Sequence, residues 1–149
     1  MTLTQQHKCY QAALNMLIRR EYSRLELSRK LQQKEFNDKD IVDSISLLIE
    51  QKYQSDERFS ESFIHMRYGQ GKGPILIAVE LKDRGIKDFD LSIYDWFELA
   101  KQVRRKKFGL NIPADYKEEA KQKRFLRSRG FNLDQINKAF LKQIQEKQK

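Results

Sequence analysis

The sequence predicts an all-α protein built from three tandem three-helix repeats of the helix-turn-helix type. Apolar residues recur at helical spacing along the whole chain. The 149 residues include only two prolines and six glycines, too few for an architecture of strands and tight turns. In addition, one turn pattern occurs three times at nearly equal intervals. These three observations favour repeated helical units over a sheet-containing domain.

The first repeat is predicted to span residues 1–53. Its first helix covers about residues 5–20, where apolar residues follow a helical pattern. A capping box from Ser23 to Glu26 opens the second helix. Asn37 or Asp38 then caps a third helix, because such side chains accept hydrogen bonds from exposed backbone N–H groups. The apolar positions of this third helix are four and three residues apart: Ile41, Ile45 and Leu48.

The middle repeat is predicted to span residues 54–94. Ser55 is suited to cap its first helix, and Pro74 is suited to the first turn of its second. The glycine-rich turn between them matches no phosphate-binding loop, since Pro74 follows the last glycine where such a loop requires Lys-Ser/Thr. Only ten positions separate Ile86 from Trp96, so we expect a short third helix.

The third repeat is predicted to span residues 95–149. Its first helix runs from Asp95 to Phe108, with three residues facing inward: Trp96, Leu99 and Val103. A loop containing Pro113 leads into the second helix. The third helix is expected from about Leu133 to Gln145, followed by a frayed tail over residues 146–149.

A basic residue, a turn residue and a hydrophobe mark the end of the second helix in each repeat. The three copies are Lys34-Glu35-Phe36, Arg84-Gly85-Ile86 and Arg129-Gly130-Phe131, offset by 50 and 45 residues. Each hydrophobe has a leucine five positions earlier and an apolar residue five positions later: Leu31 and Ile41, Leu81 and Leu91, Leu126 and Ile136. Three copies in register indicate tandem repeats.

Positive charge is concentrated in the last third of the chain. Residues 1–100 carry 15 Lys and Arg against 16 Asp and Glu, whereas residues 101–149 carry 15 against 5. This asymmetry favours an anionic partner such as nucleic acid, although a solvated face that keeps the protein soluble would give the same composition. We predict non-specific DNA contacts from the two basic runs: Arg104, Arg105, Lys106, Lys107, Lys121, Lys123, Arg124, Arg127 and Arg129.

The sequence gives little evidence for catalytic or metal-binding residues. His7 and Cys9 are only two potential ligands, so Cys9 is interpreted as a small apolar residue of the first helix. The carboxylates at Asp38 and Asp40 suit a helix N-terminus. His65 has no suitably spaced Ser or Cys partner. We therefore predict no enzymatic activity, no metal and no cofactor.

The sequence also predicts where the protein acts. No apolar run approaches the length of a transmembrane helix, and no signal peptide opens the chain. The single cysteine suits a reducing compartment. We expect a cytoplasmic monomer without a membrane partner.

Several short motifs follow one another in order along the chain. They are Asp56-Glu57-Arg58-Phe59, Gly71-Lys72-Gly73-Pro74, Glu80-Leu81 with Gly85-Ile86, Trp96 with Leu99-Ala100, Lys106-Lys107-Phe108-Gly109, and Arg124-Phe125-Leu126 with Arg129-Gly130-Phe131. In this order, and within a threefold repeat, they resemble the RecX family of recombination regulators along nearly the whole chain.

The resemblance implies three three-helix repeats in an extended, curved arrangement. It also implies binding of the RecA recombinase filament on single- or double-stranded DNA, and inhibition of filament growth, ATP hydrolysis and strand exchange. Such a protein would act as a negative regulator of DNA recombination and repair in the SOS response.

We further expect five basic residues of the middle repeat to face the recombinase: Arg58, Arg67, Lys72, Lys82 and Arg84. Phe59, Leu81 and Ile86 are expected in the core of that repeat.

The alternative function is that of a non-specific DNA-binding protein of the helix-turn-helix type. The turns after Leu31, Leu81 and Leu126 resemble that geometry. However, acidic residues such as Asp40, Asp90 and Asp134 stand where a recognition helix would begin, and they would repel phosphate. This argues against sequence-specific readout and leaves non-specific contact open.

Overall fold

The computed structural model describes residues 4–141, which form eight α-helices and no strand. The helices are α1 (Gln5–Arg19), α2 (Arg24–Gln33), α3 (Asp38–Glu50), α4 (Asp56–Gly69), α5 (Pro74–Asp83), α6 (Trp96–Phe108), α7 (Tyr116–Ser128) and α8 (Leu133–Lys138). The predicted all-α class is confirmed. Within this range every helix is too short or too polar to cross a lipid bilayer.

Side-chain caps begin the helices where the sequence places them. Ser23 and Glu26 form the predicted capping box at the start of α2, each bonding to the other's backbone N–H. The side chain of Asn37 accepts a hydrogen bond from the Asp40 N–H at 2.8 Å and opens α3. Ser55 does the same for α4 through the Arg58 N–H. Each cap satisfies a donor that the first helical turn leaves unpaired.

The repeated turn has the same backbone geometry in all three copies. The turn residues Glu35, Gly85 and Gly130 have φ values of 68°, 79° and 99°. The N–H of the following hydrophobe bonds back to the leucine carbonyl five positions earlier, at 3.3 Å in the first and third copies and 3.0 Å in the second. This is the Schellman arrangement, which ends a helix and satisfies its last carbonyls. The predicted repeat therefore exists as a structural repeat of the turn.

Residue contacts divide the chain into two compact units. The first unit comprises Met1–Phe63 and Leu81–Phe89, and the second comprises Ile64–Glu80 and Asp90–Lys149. The unit boundary falls within α4 and within α5. The repeat boundaries 1–53, 54–94 and 95–149 remain a prediction, as does the extended, curved arrangement.

The core of the first unit is formed by apolar side chains from α1, α2 and α3. Its fully buried members are Cys9, Ala13, Leu27, Leu31, Ile41, Ile45 and Leu48. Burial raises the pKa of the Cys9 thiol, in agreement with its interpretation as a small core residue. Phe59, Leu81 and Ile86 are also buried, as predicted.

The second unit has its own apolar core around α6, α7 and α8. Trp96, Leu99, Ala100, Leu126, Phe131 and Ile136 are buried there. Val103, which was predicted to face inward, is only partly buried. The backbone of the glycine-rich turn joins this core directly, because the Gly73 N–H donates to the Arg129 carbonyl at 2.7 Å and the Ile75 N–H donates to the Gly130 carbonyl at 2.9 Å.

The short third helix predicted for the middle repeat is not formed. The chain between α5 and α6 is irregular. Asn37 and Asn132 cap the helices that follow the first and third turns, whereas Lys87 stands at the equivalent position and cannot accept a hydrogen bond. Asp90 instead accepts from the Ser92 N–H at 2.8 Å and closes a local turn. In the third repeat α8 ends at Lys138 and residues 139–141 form a turn, so the predicted continuation of the helix over these three residues is wrong. The rest of the predicted extension, residues 142–145, and the predicted frayed tail lie outside the described residues.

Substitution of Gly73 tests the close approach of the glycine-rich turn to the third repeated turn. A Cβ atom at Gly73 would lie 2.4 Å from the carbonyl carbon and oxygen of Gly130, so Gly73→Ala should lower the free energy of unfolding by about 1–3 kcal/mol. Urea denaturation measures this. Gly69→Ala is the matched control, because nothing lies within 4 Å of its Cβ position. Equal stability of the two variants would show that the approach is not tight.

Candidate functional site

The exposed face of α7 in the second unit carries a row of cations. Lys117, Lys121, Arg124 and Arg127 follow one another at spacings of four, three and three residues, and all four side chains are exposed. We refer to these four residues as the α7 stripe. None of them forms an ion pair with another side chain in the range 4–141. Like charges at this spacing repel, and an external anion would relieve that repulsion.

Two other predicted DNA contacts on α7 and its turn have intramolecular partners. The Lys123 ammonium forms an ion pair with Glu119 at 3.5 Å. The Arg129 guanidinium donates from Nη2 to the backbone carbonyl of Gln70 at 2.8 Å. Both side chains are partly buried. They contribute positive potential at this surface but are less available than the α7 stripe.

Arg104 corrects the predicted DNA-binding set because its side chain is fully buried. Its Nε donates to the Ala139 carbonyl at 2.9 Å, and its Nη1 donates to the Asn111 carbonyl at 3.3 Å. Burial lowers the pKa of Arg104, and the charge of Arg105 adds to the shift. The position of Arg104 on the helix explains its burial. It lies four residues after the buried Ala100 and therefore on the same inner face of α6.

Two other cations of this basic run, Lys106 and Lys107, line an open groove in the second unit. Lys106 and Lys107 are exposed, whereas Arg105 is partly buried. The groove has a volume of about 600 Å³, and we call it the α6 groove. Its lining comprises Gly69, Gln70, Gly71, Leu99, Gln102, Val103, Lys106, Lys107, Phe125 and Arg129.

Arg58 in the first unit is held by several internal contacts. Its Nε lies 2.7 Å from Glu21 Oε2, and its two Nη atoms donate to the Lys52 and Tyr53 carbonyls, both at 2.9 Å. The hydrogen bond with Glu21 raises the pKa of Arg58. These contacts tie the start of α4 to the end of α3. We therefore regard Arg58 as a structural residue first.

The remaining basic residues of the middle repeat fall into two groups. Arg67 forms an ion pair with Glu80 at 2.8 Å in the second unit, and Arg84 forms one with Glu26 at 3.5 Å in the first. In contrast, Lys82 is exposed and Lys72 is partly exposed, and neither has an ion pair in the part of the chain that is described. These two lysines are the more available of the five predicted recombinase contacts.

These observations define a class of protein, a small all-helical repeat protein with a basic surface on its second unit. Among residues 4–141, no three His, Cys, Asp or Glu side chains lie close enough together to hold a metal ion.

Comparison with known proteins identifies the family. Residues 9–46, 55–91 and 94–140 match the models of the first, second and third three-helix domains of RecX. The chain is 41% identical to the regulatory protein RecX of Legionella pneumophila (strain Corby) over 139 residues, covering 89% of this chain and 93% of that protein. It is 37% identical to the regulatory protein RecX of Halorhodospira halophila (strain DSM 244 / SL1) over 134 residues, covering 86% and 83%. The chain belongs to the RecX family of regulatory proteins.

A solved structure supports the same conclusion about the fold. The crystal structure of RecX from Lactobacillus salivarius superimposes with a TM-score of 0.77 at 26% identity, covering 95% of this chain and 96% of that one. The prediction of an all-α fold with three tandem RecX-type domains is thus confirmed, and the middle domain contains two helices rather than three. The resemblance inferred from the sequence motifs is confirmed as well.

Replacement of Arg104 separates a structural role from a DNA contact. Arg104→Ala removes a buried side chain and leaves the Ala139 and Asn111 carbonyls without their donor, so we expect a loss of about 2–5 kcal/mol in the free energy of unfolding. Arg124→Ala, on the exposed stripe, should change it by less than about 0.5 kcal/mol. Urea denaturation compares the two. If Arg104→Ala left the protein fully stable and weakened DNA binding, Arg104 would be a DNA contact rather than a structural residue.

Proposed function

We propose that this protein is a negative regulator of homologous recombination that binds the RecA filament on DNA. In this proposal it inhibits filament extension, ATP hydrolysis and strand exchange. The observation that carries the proposal is the match of three consecutive RecX domains across residues 9–140. Action on a chromosomal filament would place the protein in the cytoplasm, where we expect it to be a monomer.

A chain of small helical units suits an extended, multi-subunit partner. Each unit offers a modest contact surface, and linked contacts raise the overall affinity without any tight single site. The near-neutral residues 1–100 suit protein contacts, whereas the basic residues 101–149 suit phosphate. We therefore assign recombinase contact chiefly to the earlier repeats, with Lys72 and Lys82 as the most available cations.

DNA contact is assigned to the α7 stripe. Its charges are exposed, and no carboxylate among the described residues neutralises them. Contacts of this kind go to phosphates and carry no sequence information. The start of α8 carries Asp134, which disfavours base readout at that helix. The same stripe favours the second candidate function, that of a plain non-specific DNA-binding protein.

Lys82 tests the recombinase contact. We expect Lys82→Glu to weaken inhibition of DNA-dependent ATP hydrolysis by RecA, because it reverses an exposed charge at the proposed interface, and to leave the urea midpoint nearly unchanged. Lys39→Glu, a charge reversal at another exposed position, on α3, is the control and should inhibit like the wild type. Identical inhibition by both variants would exclude Lys82 from the contact.

The salt dependence of DNA binding tests the α7 stripe. Each lost phosphate contact should reduce the slope of log affinity against log salt by about 0.7 on single strands, so replacing Lys121, Arg124 and Arg127 by Ala should reduce it by about 2. The loss of affinity should be similar for any sequence. The matched control replaces the exposed Lys8, Lys30 and Lys39 by Ala, which removes the same charge from the first unit. An unchanged slope in the stripe variant would make the stripe a solubilising surface only.

A further inference from the structure

The α6 groove differs from the α7 stripe because it combines an apolar floor with a cationic rim. We call its apolar lining residues Leu99, Val103 and Phe125 the floor, and its cationic lining residues Lys106, Lys107 and Arg129 the rim. A stripe of charges alone suits a phosphate backbone. A groove with both features suits a ligand that carries negative charge next to a hydrophobic side chain.

The rim offers donors that are not already used. Lys106 and Lys107 have no ion pair within the described part of the chain. Arg129 is fixed through its Nη2 by the Gln70 carbonyl at 2.8 Å. Its positive charge adds to that of the two lysines and favours an anionic ligand in the groove. The fixed guanidinium is thereby oriented before any ligand arrives.

Gly71 keeps the groove open beside this guanidinium. Its φ is +78°, and a Cβ atom there would lie 3.0 Å from Val103 Cγ2 and 3.3 Å from Arg129 Nη2. A side chain at this position would therefore press against both the floor and the rim. The glycine serves the backbone conformation and also leaves space between these two residues.

The surroundings of Phe125 disfavour a nucleobase as the ligand. The Lys107 ammonium lies 5.2 Å from the ring centroid and the Arg129 guanidinium carbon 5.8 Å from it. Phe108 packs against the same ring at 5.4 Å in an edge-to-face arrangement. Base stacking requires an open ring face, and the Phe125 ring already has two cations and a second aromatic ring as neighbours. An aliphatic or aromatic side chain can instead rest on Leu99 and Val103.

We propose that the α6 groove binds an acidic peptide segment of a protein partner. One hydrophobic side chain of the peptide rests on the floor, and adjacent carboxylates pair with Lys106, Lys107 and Arg129. This gives the basic third of the chain a protein-binding site in addition to the phosphate contacts of the α7 stripe. The inference goes beyond the proposed function, since it does not depend on which protein supplies the peptide.

Fluorescence anisotropy of a labelled peptide tests the groove directly. The probe has four aspartates followed by leucine and phenylalanine. Lys106→Ala with Lys107→Ala should weaken its binding about tenfold, as expected for two exposed charge pairs. The matched control, Lys8→Ala with Lys30→Ala, removes the same charge from exposed positions of the first unit and should bind like the wild type. Urea midpoints confirm that both variants are folded.

Two altered probes separate the floor from the rim. A peptide with asparagine in place of aspartate should no longer bind the wild-type protein. A peptide with serines in place of leucine and phenylalanine should bind it more weakly than the original probe. Equal binding of the original peptide by both lysine variants would overturn the proposal. The proposal would also be overturned if an oligothymidylate displaced the peptide and its own affinity depended on Lys106 and Lys107 as strongly as that of the peptide. Inhibition of RecA, measured on the same variants, reports separately on the proposed function.

Discussion

The left-handed turn that ends the second helix of each repeat is the constraint on which the other contacts depend. It brings the hydrophobe after the turn back over the helix, through the bond to the leucine carbonyl five positions earlier. In two copies the glycine also permits a close approach. A Cβ atom at Gly85 would lie 2.9 Å from Leu25 Cβ in the first unit, and one at Gly130 would lie 2.4 Å from Leu76 Cβ in the second. The first copy tolerates Glu35 at positive φ, so the glycines are required for packing as well as for backbone conformation.

The second unit distributes its positive charge between structure and surface. Arg104 is used internally, where backbone carbonyls accept its hydrogen bonds near the end of α8. Arg129 fixes the glycine-rich turn through Gln70. The α7 stripe and the rim lysines of the α6 groove remain exposed. The positive charge that the sequence shows as one basic region is therefore divided among buried hydrogen bonds, the anchoring of a turn and exposed side chains.

Local features of the fold could be predicted from the sequence because short-range chemistry determines them. Ser23, Asn37 and Ser55 cap their helices by rules that need only neighbouring residues. The missing helix after Gly85 also has a local cause, the lysine at the cap position, but recognising it required alignment of the three turns. The site was less predictable. Whether a cation such as Arg58 or Arg84 is free depends on a carboxylate distant in sequence, Glu21 or Glu26, and no local pattern reveals that pairing.

Filament recognition is the central claim of this account, and co-sedimentation tests it most directly. The protein is mixed with RecA filaments on single-stranded DNA, and in parallel with the same DNA alone at the same salt concentration. Binding to naked DNA depends only on phosphate contacts, and salt weakens these contacts steeply. Binding to the filament adds contacts with the recombinase. We predict that the protein sediments with the filament at salt concentrations that release it from naked DNA. Equal release from both would contradict the account and leave a non-specific DNA-binding protein.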